Sequence, residues 1–194
     1  MRPPRFVIIT GPTNAGKTTT TRALSAVGYV PVFFDTHYYR VRGASEWHGV
    51  RPATIHRAAR EVIFSALDAW RGGADVAVEG GAFMLRRVWM WVAGELTSRG
   101  VDACYVLLDA PLHVLRRRLA GRLRLKRRVS RLMLVGKTAL LLGTYWYWRW
   151  HRRTMPSRLA SHPSISVLGI GNARLAPRDV AGRIDAFVGG RVGP

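Results

Sequence analysis

The clearest chemistry in the chain is carried by eight consecutive residues, Gly11-Pro12-Thr13-Asn14-Ala15-Gly16-Lys17-Thr18. They follow the apolar run Phe6-Val7-Ile8-Ile9-Thr10 and precede Thr19-Thr20-Thr21-Arg22-Ala23-Leu24, which reads as the start of a helix. A strand, a glycine-rich turn ending in Gly-Lys-Thr and a helix together build a cradle for phosphate. Gly11 and Gly16 let the backbone curl until its N–H groups converge on phosphate oxygens, and the helix N-terminus adds partial positive charge. Lys17 is placed to reach the outer phosphates and the Thr18 hydroxyl to ligate Mg²⁺. The loop therefore predicts a phosphorylated ligand.

Two acids and a pair of arginines stand where they could turn binding into transfer. Asp35 ends the apolar run 30–34 and is followed by Thr36-His37-Tyr38-Tyr39-Arg40. A carboxylate at that point can take the proton of an attacking acceptor group, and an aspartate there can equally cap a helix. Tyr38, Tyr39 and Arg40, with Trp47 further on, are candidate acceptor contacts, whereas His37 in a polar stretch reads as surface. Glu79 closes the run Val76-Ala77-Val78 and leads into Gly80-Gly81, so it could hold Mg²⁺ directly or through water. The double glycine allows close approach by substrate or simply a tight turn, and Arg86 and Arg87 lie behind it. Arg118 and Arg122 are four apart and share a helical face, so both guanidinium groups can converge on a triphosphate, or merely line a basic surface.

These residues need a sheet to position them. Apolar runs alternate with longer helical patterns, which implies βα units and a parallel sheet. Strands are expected at 6–10, 30–34, 76–79, 105–108 and 165–168, with helices over 17–27, from about 52 to 72, over 84–98, after Pro111, and over 177–188. In the second helix Ile55, Ala59, Val62, Ile63, Ala66 and Trp70 recur at helical spacing and should face the core. The expected class is a three-layer α/β/α fold with a five-stranded parallel sheet, one domain over 1–194, and a helical lid over 112–158. Ligands of such sheets sit beyond the carboxyl ends of the strands, where the loop, Asp35 and Glu79 all fall.

Composition adds limits. At 48% hydrophobic the 194 residues can bury a full core, so disorder is not expected. One cysteine, Cys104, excludes an internal disulfide and suits a reducing compartment. No secretory apolar segment precedes the loop, and a cytoplasmic location is expected. The formal net charge is +20, and no acidic residue occurs between Ala110 and Arg178, an interval holding sixteen of the thirty-one Lys and Arg. Such a stretch attracts phosphates, nucleic acid or an anionic membrane, or forms a solvated basic face.

Taken in order, these motifs resemble the small P-loop kinases that phosphorylate nucleosides, nucleotides and other metabolites, and the resemblance spans most of the chain. It implies that Gly11, Thr13, Asn14, Ala15, Gly16, Lys17, Thr18 and Thr19 bind ATP and that Thr18 and Glu79 serve Mg²⁺. Asp35 followed by Tyr38, Tyr39 and Arg40 is similar to the aspartate-plus-tyrosine loop of uridine and nicotinamide-riboside kinases, where the aspartate is the base. Arg118 and Arg122 resemble the arginines at the lid of adenylate-kinase-like enzymes, and residues 169–173 would lie near adenine. Gly11-Pro12-Thr13 with Asp35 and Glu79-Gly80-Gly81 is also similar to adenylate and tRNA isopentenyltransferases, in which the loop holds a prenyl diphosphate. The chain is short for that family and lacks its Asp-Ser and Gly-Gly-Thr-Gly signatures.

Residues 132–150 fit neither pattern, being apolar and aromatic where kinase lids are polar. The length approaches that of a membrane helix. A crossing would nevertheless strand the last strand and helix on the far side, and Lys137 and the flanking arginines oppose it, so no transmembrane span is expected. The segment could wall the acceptor, form a homodimer surface, touch a membrane peripherally, stack on nucleic acid, or lie buried as a helical hairpin. The functional expectation is an ATP- and Mg²⁺-dependent phosphotransferase acting on a small-molecule acceptor, with Asp35 as base and Lys17, Arg118 and Arg122 assisting. An isopentenyltransferase and a non-enzymatic nucleotide-dependent nucleic-acid-binding module are the alternatives.

Overall fold

In the computed structural model the described residues are 2–42, 52–124 and 131–190. Five parallel strands form one sheet in the order β2-β3-β1-β4-β5: β1 Phe6–Thr10, β2 Val30–Phe33, β3 Val76–Glu79, β4 Ala103–Asp109 and β5 Ile165–Gly171. The central strand β1 is buried along its whole length, as expected of a strand covered on both faces. Its side chains divide by parity. Phe6 and Ile8 enter one core with α3 (Pro52–Arg71) and α4 (Arg86–Ser98), while Val7 and Ile9 enter a second core with α1 (Lys17–Ser25), α5 (Leu112–Arg124) and α8 (Pro177–Gly189). Helix, sheet, helix: the three-layer expectation holds.

The local boundaries differ in instructive ways. β2 stops at Phe33, and Phe34–Arg42 is a helix, α2, most of it in a stretch to which the apolar pattern assigned no element. Phe34 is buried either way, which is why the apolar pattern could not separate strand from helix. Trp47 lies outside the described residues. Residues Gly81–Met84 form a 3₁₀ turn ahead of α4. β4 and β5 are both longer than expected, because Leu107, Leu108 and Asp109 pair with Gly169, Ile170 and Gly171. This extension carries the end of β5 up to the loop 11–18, where Asn172 meets Ala15.

Region 112–158 contains α5, a single long helix α6 (Arg131–His151) and the start of a short helix α7 (Met155–Ala160). α6 crosses the carboxyl ends of the strands. Leu141 joins the second core and Trp148 the first, and both are fully buried. Trp148 Nε1 donates to Asp109 Oδ1 at 3.0 Å, and Arg152 pairs with the same carboxylate at 2.5 Å. Among the described residues no helix is long and apolar enough to cross a membrane.

Candidate active site

The loop 11–18 joins β1 to α1 in a shape only its own residues permit. Gly11 has φ 147° and Gly16 φ 94°, in a region that L side chains rarely adopt, and Asn14 sits at φ 64°. A Cβ on Gly11 would lie 2.4 Å from the Leu108 carbonyl oxygen, so β4 runs hard against the loop. Gly16 caps α1, whose N-terminus therefore points its free N–H groups and dipole into the cradle.

Lys17 curls back over the loop, its Nζ donating to the Gly11 and Pro12 carbonyls at 3.2 and 3.1 Å. Burial pulls its pKa below the usual lysine range; Glu79 and Asp35 act against that, and Arg122 adds to it. Glu79 is 4% exposed and leaves Oε2 buried with no hydrogen-bond partner. Burial raises its pKa above the ordinary glutamate value, with Lys17 as the main opposing influence and Asp35 adding to the rise. Lys17, Thr18, Asp35, Glu79 and Arg122 thus share one electrostatic neighbourhood, assembled from β1, β2, β3 and β4 connections.

Asp35 occupies the first turn of α2 with its side chain exposed. The residues after it diverge. Tyr38 stacks on Phe34 with ring centroids 5.7 Å apart, Tyr39 is exposed, and Arg40 pairs with Glu61 of α3 at 2.8 Å. His37 is partly buried beside Arg40, and burial lowers its pKa. Gly80 makes room for protein: a Cβ there would meet the Phe34 Cβ at 2.6 Å. Gly81 lies against Lys17, its Cβ position 3.9 Å from Nζ. Arg86 and Arg87 are exposed on α4.

From the opposite side α5 brings Arg118 and Arg122 onto the loop. Arg118 donates to the Asn14 carbonyl at 3.3 Å and Arg122 to Asn14 Oδ1 at 3.1 Å. Asn172 and Thr144 were not singled out from sequence. Asn172, just past β5, is buried; its Nδ2 donates to the Ala15 carbonyl and its own carbonyl accepts from Arg118 at 2.8 Å. Thr144 of α6 accepts the Thr13 N–H at 3.2 Å and donates to the Leu141 carbonyl at 3.1 Å. Neither has a local sequence signal, since the partners lie 157 and 131 positions away. Thr19 faces out from the first turn of α1.

Comparison of the whole chain with solved structures matches this architecture end to end. A gluconokinase from Sinorhizobium meliloti 1021 superposes with a TM-score of 0.65 at 13% identity, over 99% of this chain and 95% of that one. A shikimate kinase from Acinetobacter baumannii, in complex with shikimate, gives 0.62 at 18% identity over 97% and 94%. An unliganded sugar kinase from Janibacter sp. HTCC2649 gives 0.62 at 15% identity over 99% of each chain. The chain has the P-loop kinase fold. No protein-family model matches it and no curated protein matches it. In the P-loop kinase fold seen here, the loop is braced by β4, β5, α5 and α6 together, and the two acids stand at the ends of β2 and β3.

Proposed function

We propose that this protein is an ATP- and Mg²⁺-dependent phosphotransferase acting on a small-molecule acceptor such as a nucleoside, a nucleotide or a similar metabolite. The supporting observation is the Glu79 carboxylate, buried beside Thr18 and Lys17 with Oε2 left without a partner. A buried carboxylate oxygen is costly when unpaired, and a hard divalent cation with oxygen ligands satisfies it. Among the described residues no cluster of three or more His, Cys, Asp or Glu could hold a metal. A site with few protein ligands suits Mg²⁺, which usually keeps waters and substrate phosphates in its shell. The Thr18 hydroxyl and Glu79 are the residues that fit it.

Bound there, Mg²⁺ would supply charge neutralisation on the outer phosphates. The protein's own groups do the rest. N–H groups of residues 16–19 and the α1 dipole hold the phosphate oxygens. Lys17 releases the Gly11 and Pro12 carbonyls to meet the β- and γ-phosphates, whose charge favours its ammonium form. Arg118 and Arg122, already over the loop, clamp the transferring group as its charge shifts. The Asp35 carboxylate accepts the acceptor's hydroxyl proton as that oxygen bonds to the γ-phosphorus and the bond to the bridging oxygen of ADP breaks. Tyr38 and Tyr39 follow Asp35 on α2 as candidate acceptor contacts, Arg40 would have to leave Glu61 to join them, and region 112–158 serves as the lid. The fold neighbours, named as kinases of a sugar, gluconate and shikimate, are consistent with a small hydroxylated acceptor.

The test is a panel of nucleosides, nucleotides and sugars with ATP and Mg²⁺, run beside dimethylallyl diphosphate with AMP or tRNA. ADP formed in step with a phosphorylated acceptor supports the proposal; a prenylated product without ADP overturns it. Asp35→Asn should lower kcat by about 10²–10⁴-fold while leaving nucleotide affinity within about threefold. Unchanged turnover would remove Asp35 from the mechanism.

A further inference from the structure

α6 has two faces with different tasks. Leu141, Thr144 and Trp148 face inward onto the cores and the loop. On the other side Val135, Ala139, Leu142, Trp146 and Trp150 recur at intervals of four, three, four and four, forming one apolar stripe. All five are exposed, with Trp146 at 63% and Trp150 at 82%. At ~1.5 Å per residue the stripe is about 22 Å long. Arg149 borders it, Arg153 and Arg158 follow it, and all three are exposed. With no acidic residue from 110 to 178, the positive field around the stripe has nothing of opposite sign within the segment.

We propose that α6 docks the protein on an anionic lipid bilayer, lying in the plane of the interface. Val135, Leu142, Trp146 and Trp150 enter the boundary between headgroups and acyl chains, and Arg149, Arg153 and Arg158 meet lipid phosphates. The chemistry selects this partner over others. Tryptophan is suited to the interface, where its ring is buried and its N–H stays wet. Valine and leucine gain from acyl chains but offer no ring for a nucleobase to stack on. A second copy of α6 would bring arginines of like sign together, which opposes self-association. Because the inward face already holds Asp109 and Thr13, docking leaves the packing of α6 on the sheet intact. The inference is independent of the reaction the loop serves.

Vesicle flotation of the full chain tests it, with pure phosphatidylcholine compared against phosphatidylcholine carrying about one-third phosphatidylglycerol. The protein should float with the anionic vesicles, remain behind with the neutral ones, and dissociate as salt is raised. The double variant Trp146→Glu/Trp150→Glu should partition at least ~10-fold more weakly, and Arg149→Gln/Arg153→Gln roughly tenfold more weakly. Both pairs are solvent-facing, so an unchanged melting temperature shows the variants are folded. Equal flotation with both vesicle types, or variants that float like the parent, overturns the proposal. So does binding to a single-stranded RNA, or lipid-free dimerisation, that the tryptophan variant abolishes while no vesicle floats.

Discussion

Asn172 offers the sharpest test of how the phosphate loop is held. Its side chain is 4% exposed and its Nδ2 donates to the carbonyl of Ala15, itself fully buried, while Oδ1 lies 3.5 Å from an Arg118 nitrogen. Asn172→Ala removes the donor and leaves the Ala15 carbonyl without it. Leaving a buried carbonyl unsatisfied costs about 1–3 kcal/mol, more than the net worth of an ordinary hydrogen bond. The weak Arg118 contact adds little, because that arginine still bonds the Asn172 backbone carbonyl. The expected destabilisation is therefore about 1–3 kcal/mol, or about 2–12 °C in melting temperature for a chain of this size. Asn172→Asp separates the causes. It keeps the volume and strengthens the pairing with Arg118, but sets a carboxylate oxygen against the Ala15 carbonyl, so it should destabilise at least as much as alanine. Differential scanning calorimetry, with nucleotide titrated by isothermal calorimetry, reads both. If Asn172→Ala melts and binds like the parent, Asn172 does not brace the loop.

Further outcomes follow from the same site. Gly11→Ala places a methyl 2.4 Å from a backbone oxygen that cannot swing away, at φ 147°; strain and overpacking should cost about 2–6 kcal/mol in denaturant unfolding and abolish nucleotide binding. Thr144→Val removes the acceptor of the Thr13 N–H, so the amide is freed for phosphate and nucleotide affinity should rise about twofold to tenfold by calorimetry. A fall in affinity would instead make Thr144 part of the binding surface. Because Glu79 has a raised pKa, Mg²⁺ dependence of nucleotide binding should fade on acidification at a pH above the ordinary glutamate value, and Glu79→Gln should remove that dependence. The same shift has a sign for stability. The folded state holds this proton more tightly than the unfolded state, so the Glu79 contribution favours folding below the unfolded pKa and is lost as pH rises through the folded one. Melting curves of parent minus Glu79→Gln against pH read it directly.

Much of the site was legible because its signals are local. The loop declares itself in eight adjacent residues, and Asp35 and Glu79 are marked by falling where an apolar run ends. The five strands followed from the same runs. Arg118 and Arg122 are different: spacing put them on one face, and only the family resemblance directed that face to the phosphates; the structure shows the two side chains on Asn14. The brace by Asn172 and the tie from Thr144 were invisible, since each depends on how a distant element docks. α6 was the least legible. Its sequence is apolar nearly all round, so periodicity could not say that Leu141 and Trp148 enter the cores while Trp146 and Trp150 face out.

The loop takes its shape from four distant supports: the Leu108 carbonyl, Asn172, the α5 arginines and Thr144. None of these is near it in sequence, so the finished cradle needs the β1–β4 and β4–β5 pairings, and it is expected to form late in folding. A ligand that recognises the finished cradle then acts on the native side of the barrier. ATP should accordingly slow unfolding in proportion to its binding free energy and leave the refolding rate almost unchanged. On the proposed function, nucleotide would guard the finished fold without guiding the chain to it.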